Sequence, residues 1–214
     1  MINKELKEYI EKHILPVYEK NEQGHGIEHI KYVVRRSLEF ARQIEGVDLD
    51  MVYTVASYHD IGHHINAKNH EVVSAEIFAD DDNMERFFTT EQINTIFEAI
   101  QDHRASSEYE PRSIYGKIVS SADRRTDINN VMTTMYTYGL KNRPGQTLQE
   151  NIEDAYRHIC SKFAYGGYAT TKMYFEDKEY NKLIEQAEYF KNHKDKFVEY
   201  YCNINKIDIS NYGI

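Results

Sequence analysis

The sequence predicts an all-α fold, a single-domain helical bundle. Three observations carry that expectation. Apolar residues recur every three or four positions through most of the chain. No run keeps the strict alternation of a half-buried strand. The 3 prolines and 10 glycines fall between periodic segments rather than inside them.

In chain order, IEHIKYVVRRSLEFARQI (27–44) puts Ile30, Val33, Val34, Ser37, Leu38, Ala41 and Ile44 on one helical face. DLDMVYTVASYHD (48–60) aligns Leu49, Val52, Val55 and Ala56, and Gly62 follows as a stop. Further helices are expected over 72–78, 91–102, 114–123 and 147–164, with a last one over 177–202. Thr147 followed three residues later by Glu150 has the form of a capping box. Gly145 and the pair Gly166-Gly167 mark joints, yet neither is flanked by linker-like sequence. The expectation is therefore one domain over 1–214, with a core at about 20–130 and the helices of 131–214 packed on it.

Composition narrows the function classes. Hydrophobic residues make up 41% and charged residues 29%, an ordinary globular profile. A net charge of −9 argues against sequence-independent binding to nucleic acid or to an anionic membrane. It leaves room for a small anionic substrate in a local basic pocket. MINKELKEYIEKH is charged throughout and lacks the apolar stretch of a signal peptide, and the longest apolar-leaning run, MVYTVASY, is far short of a membrane span. Cys160 and Cys202 are too few for a disulfide framework and read as reduced thiols, so a cytoplasmic location is expected. Self-association into a homodimer stays open.

Chemistry concentrates in ASYHDIGHHINAKNHEV (56–72), which holds four of the chain's 10 histidines. His59 and Asp60 fall where the helix over 48–60 ends. Consecutive helical side chains diverge by roughly 100°, so the pair can share a ligand lying between them, such as a metal ion. Two ligands rarely suffice. His29, at the start of an amphipathic helix, and Asp123, closing the apolar face GKIVSSAD, are the natural additions. A carboxylate at a helix C-terminus opposes the dipole, and a cation would remove that penalty for both Asp60 and Asp123. The spacings are too long for a zinc finger and suit a site inside a helical bundle. There is no Walker loop, no GxSxG elbow and no Rossmann glycine pattern.

EHIKYV (His29), ASYHDIGH (His59 and Asp60) and KIVSSADR (Asp123) together resemble the ordered H…HD…D signature of the HD-domain superfamily of metal-dependent phosphohydrolases. The resemblance covers roughly residues 20–130. It implies an all-helical fold with a divalent metal held by His29, His59, Asp60 and Asp123. In branches with two metals, further histidines lie between the HD pair and the last Asp, and His70 and His103 fit those places. Asp60 would then bridge two ions. Mixed imidazole and carboxylate ligands leave Mn, Fe, Co, Zn and Mg as candidates.

Around these ligands, His63 is the expected contact for a phosphate or shuttle for a proton. Arg124 is the expected charge donor beside Asp123, and Arg104 and Lys117 are expected cations for substrate. Glu71 and Asp127 are candidates for acid/base or supporting roles. Tyr136, Tyr165 and Tyr168 could stack on a nucleobase, although packing between helices is the commoner use of such tyrosines. Three functions remain in play: a phosphohydrolase acting on a nucleotide or small phosphoester through a metal-activated water, a di-iron oxygenase with the same ligand pattern, and a regulatory module that keeps its metal for structure.

Overall fold

Most helices of this protein begin where a short polar side chain can take up the backbone N–H groups left over at a helix start. Asp48, Thr89, Ser113, Asp127, Thr147 and Asp177 each accept such a bond. At Thr147 the expected capping box is formed: Glu150 N–H donates to Thr147 Oγ1 (3.2 Å), and Thr147 N–H to Glu150 Oε2 (2.8 Å).

The computed structural model describes residues 1–22, 24–104 and 107–208. Among them lie ten α-helices, two 3-10 segments and no strand, so the all-α expectation holds. The helices are α1 (Lys4–His13), α2 (Ile27–Ala41), α3 (Leu49–Tyr58), α4 (His70–Ala79), α5 (Thr90–Asp102), α6 (Ile114–Ala122), α7 (Ile128–Asn142), α8 (Leu148–Phe163), α9 (Lys178–Asn192) and α10 (Lys194–Ile204). The 3-10 segments are Leu15–Lys20 and Asp82–Arg86. No helix among the described residues is long and apolar enough to cross a membrane.

Contacts gather into two compact units, Met1–Arg124 and Arg125–Ile214. In the first unit α3 is the central helix. It packs against α2, α5 and α6, and all eight residues from Met51 to Tyr58 are buried. A helix apolar all round has no solvent face, which is why the polar pair at its end is buried too. The end of α3 is held from two sides. Tyr58 Oη donates to Asp81 (2.6 Å), which also accepts from Tyr9 of α1 (2.8 Å), and Tyr18 Oη donates to the Ser57 carbonyl (2.9 Å).

The second unit has its own core, built from Val131, Met132, Ile152, Ile159, Leu183, Phe197 and Tyr201 among others. Two helices here depart from the sequence reading. Helix α7 is not anticipated, because its Thr- and Tyr-rich sequence has a weak apolar stripe. Its one buried face (Ile128, Val131, Met132, Gly139) and the Asp127 cap specify it nonetheless. The single helix expected over 177–202 is two helices. His193 between them leaves helical geometry (φ −139°, ψ 73°), and its ring takes the Tyr189 carbonyl (2.9 Å). The break was visible as a gap in apolar spacing, since the core residues run to Phe190 and resume only at Phe197. Tyr136, Tyr165 and Tyr168 all lie in this unit; Tyr136 packs edge-on against Tyr201, whereas Tyr165 and Tyr168 are exposed. Helix α1 is mostly charged, but Leu6 and Ile10 at i, i+4 suffice to dock it.

Gly62 sets the approach of α4 to the end of α3. Its N–H donates to Ser74 Oγ (3.0 Å), and a Cβ there would stand 2.7 Å from Val73 Cγ1 and 2.8 Å from the Ser74 backbone nitrogen. Gly62→Ala is therefore expected to destabilise the protein by about 1–3 kcal/mol, the range for forced overpacking. Urea denaturation of the two proteins checks it, and an unchanged midpoint would contradict the close approach.

Candidate metal centre

Five helix ends meet at one point. His29 lies in the first turn of α2, His59 caps the C-terminus of α3, His70 opens α4, His103 caps α5 and Asp123 caps α6. Asp60 follows directly after the α3 cap. Three of these ends are C-terminal and carry partial negative charge, and two of the side chains are carboxylates. The basin they form favours a cation.

The structure brings all six expected ligand residues together. Asp60 is central and 1% exposed. Its Oδ2 lies 3.6 Å from both His29 Nε2 and His59 Nε2, while its Oδ1 lies 3.2 Å from His70 Nε2 and 3.5 Å from His103 Nε2. Asp123 Oδ1 completes the first group, 3.1 Å from His29 Nε2 and 3.8 Å from His59 Nε2. In the second group His70 Nε2 and His103 Nε2 are 3.2 Å apart. Donors each about 2.1 Å from one ion lie roughly 3.0–3.4 Å from one another. The second group matches that spacing, and the first is slightly wider.

Hydrogen bonding fixes which nitrogen each ring turns inward. His59 Nδ1 donates to the Ala56 carbonyl (2.7 Å), His70 Nδ1 to Ala67 (3.0 Å) and His103 Nδ1 to Ile100 (2.6 Å). A carbonyl can only accept, so Nδ1 carries the proton and Nε2 presents its lone pair to the centre. The facing Nε2 atoms of His70 and His103 would then be two lone pairs in contact, which a proton or a cation between them relieves. His29 Nε2, His59 Nε2 and Asp60 Oδ1 are buried and make no hydrogen bond. These residues can hold a metal ion, in three overlapping triads: His25, His29 and Asp60; His29, His59 and Asp123; and Asp60, His70 and His103.

The backbone of Asp60 is also fixed. Its N–H donates to Tyr18 Oη (3.2 Å), and its carbonyl accepts from Asn21 Nδ2 (3.0 Å), which also holds the His25 carbonyl (2.9 Å).

Protonation in the metal-free cluster follows the same geometry. Burial works against an imidazolium at His29, but Asp123 and then Asp60 outweigh it and push the group up to about 9. Burial likewise opposes charge on Asp60 and Asp123. The surrounding imidazoles, His59 first for Asp60 and His29 first for Asp123, nevertheless hold both carboxyls well below the usual range. Burial, with His103 beside it, lowers His70. His103 is raised, because Asp60 overcomes its burial.

His25 is the residue that sequence reasoning missed. Its Nδ1 donates to Asp60 Oδ2 at 2.6 Å, and its ring stacks on His63 with centroids 4.0 Å apart and planes 14° apart. It precedes the α2 cap, so helical periodicity says nothing of it. The available signal was its placement between two glycines, four residues before His29. Six imidazoles thus form a closed ring around Asp60, in the order His25, His29, His59, His103, His70, His63, with neighbouring centroids 4.0–5.6 Å apart.

The expected cations stand differently. Burial, followed by the charges of His25 and His70, pushes His63 down to about 4, so it is neutral near pH 7 rather than cationic. Arg104 donates to the Lys68 carbonyl (2.6 Å) and to Glu71 (3.2 Å), tying the start of α4 to the end of α5. Glu71 Oε2 also lies 3.7 Å from His70 Nδ1. Lys117 pairs with Glu110 at 3.5 Å. Arg124 is buried, and its carbonyl accepts from Tyr32 Oη (3.2 Å). Asp127 accepts from the Asn129 N–H (2.9 Å) as the cap of α7.

Residues 26–126 match the family model of the HD domain, so this segment of the chain is an HD domain. No curated protein and no solved structure matches the chain.

Two expectations follow. Asp60→Ala should abolish metal binding at both groups, whereas His70→Ala or His103→Ala should each remove about half the bound metal; unchanged metal content by mass spectrometry would contradict the shared carboxylate. Because a metal at His29 must displace a proton held up to about pH 9, apparent affinity should rise with pH by up to about tenfold per unit and flatten above that value. In the metal-free protein the sign is opposite. The stability that His29 gains from its raised value is present below its unfolded value of about 6.5 and is lost as pH rises through about 9. Affinity falling between pH 7 and 9 would contradict the assignment.

Proposed function

We propose that the HD domain formed by residues 26–126 is a metal-dependent phosphohydrolase acting on a nucleotide or a similar small phosphoester. HD domains are mostly metal-dependent hydrolases, and the His/Asp cluster can hold the metal that such chemistry needs. The observation that carries the reading is the division of Asp60 between two donor groups, Oδ2 toward His29 and His59 and Oδ1 toward His70 and His103. When bound, divalent cations acidify a water toward neutrality and offset charge on phosphoryl oxygens.

In this reading His29, His59, Asp60 and Asp123 hold one ion, and His70 and His103 share Asp60 for a second. His63 is neutral, and its Nδ1 is buried without a hydrogen bond. It remains the proposed contact for a phosphate or shuttle for a proton, acting in its neutral form. Arg124 stays the proposed donor of positive charge. Arg104 and Lys117, engaged with Glu71 and Glu110, act through those pairs rather than as dedicated substrate clamps.

A second reading has its own support. The cluster is rich in nitrogen, with imidazoles of His25, His29, His59, His70 and His103 against two carboxylates, and such donor sets suit iron as well as manganese, cobalt or zinc. The alternative is a di-iron oxygenase.

The test is direct. Protein loaded with Mn²⁺ or Co²⁺ under anaerobic conditions should release phosphate or pyrophosphate from at least one member of a nucleotide and phosphoester panel, and chelation should abolish the release. Arg124→Ala should lower the rate by about 10²-fold, the scale for one preorganised charge donor, with metal content unchanged. No turnover with any divalent metal, together with oxygen uptake by the iron-loaded protein, would replace the hydrolase with the oxygenase.

A further inference from the structure

We propose that His25 is the positioning residue that sets how Asp60 divides its two oxygens between the two metal groups, and that His63 holds the His25 ring in place by stacking. The inference rests on the reading that this cluster binds metal, but not on which reaction follows.

A carboxylate shared between two groups has a rotational problem. Turning about the Cβ–Cγ bond would present its oxygens to neither group properly, and a terminal torsion of this kind is broad and soft. Backbone contacts from Tyr18 and Asn21 fix where Asp60 begins, not how its carboxylate is turned. Among the imidazoles around it, His25 makes the shortest contact, Nδ1 donating to Oδ2 at 2.6 Å. The distances to the others are 3.2–3.6 Å. His25 therefore clamps Oδ2 on the side of His29 and His59, which leaves Oδ1 facing His70 and His103.

The clamp is itself supported. Gly24 has φ +106°, a conformation that favours glycine, and lets the chain turn His25 inward before α2 begins. Asn21 Nδ2 bonds the His25 carbonyl and the Asp60 carbonyl together, so the residue that clamps and the residue clamped share one anchor. His63 lies flat on the His25 ring and closes the ring of six imidazoles toward His70. Partners that orient a metal ligand through a hydrogen bond are worth about 10- to 100-fold in metal affinity.

The experiment is Co²⁺ titration followed by its visible absorption spectrum and by metal analysis, with the fold checked by circular dichroism. His25→Ala should weaken Co²⁺ binding about 10- to 100-fold and alter the spectrum. His25→Asn, whose Nδ2–H stands where the imidazole Nδ1–H stood, should recover most of the affinity and the spectrum. His63→Ala should fall between the two. Wild-type affinity in His25→Ala overturns the proposal, and so does His25→Asn binding as weakly as His25→Ala, since the imidazole would then act as a ligand in its own right. A wild-type protein that binds no Co²⁺ or Mn²⁺ overturns the metal reading and this proposal together, which separates the two failures.

Discussion

The structure of the first unit depends on one buried charge. Asp60 is almost wholly removed from water, has five imidazoles within 3.6 Å, and keeps its carboxyl ionised. An isolated carboxylate in that position would cost far more than a small domain can supply, so it is stable only with cations around it. Three helix C-termini face the same basin and add to its negative field, which deepens the need for a cation. His59 and His103 donate Nδ1 to carbonyls of their own helices and His70 to the Ala67 carbonyl just before α4, so that Nε2 is turned inward. Gly62 is small enough to let α4 close on the turn.

This arrangement trades stability for binding. The facing Nε2 atoms of His70 and His103 and the unbonded, buried Nε2 of His59 are each unfavourable in a metal-free core. Protons shared among the imidazoles relieve part of it, as the opposite shifts of His70 and His103 indicate. A divalent ion held by these residues would relieve more. Metal binding and rigidity of this cluster are thus two aspects of one free energy.

Much of this was legible in the sequence, for a physical reason. Helices α2, α3, α5, α6 and α8 carry clear apolar stripes, and all six expected ligand residues stand within one turn of a helix end, where a periodic pattern starts or stops. His25 was not legible, because it sits outside any helix and its role depends on a fold-back at Gly24. The pairing of the cations was not legible either. Arg104 finds Glu71 33 positions away, and no local pattern announces such a pair. Helix α7 was hidden by residues of weak helical preference that packing overrides.

The central claim is that Asp60 divides one carboxylate between two cations. Anomalous diffraction at the manganese edge, from crystals of protein loaded with Mn²⁺, tests it most directly. The account predicts two peaks roughly 3.5–4 Å apart, one beside His29, His59 and Asp123 and one beside His70 and His103, with an Asp60 oxygen bonded to each. A single peak, or two peaks with both Asp60 oxygens bonded to the same ion, would contradict it.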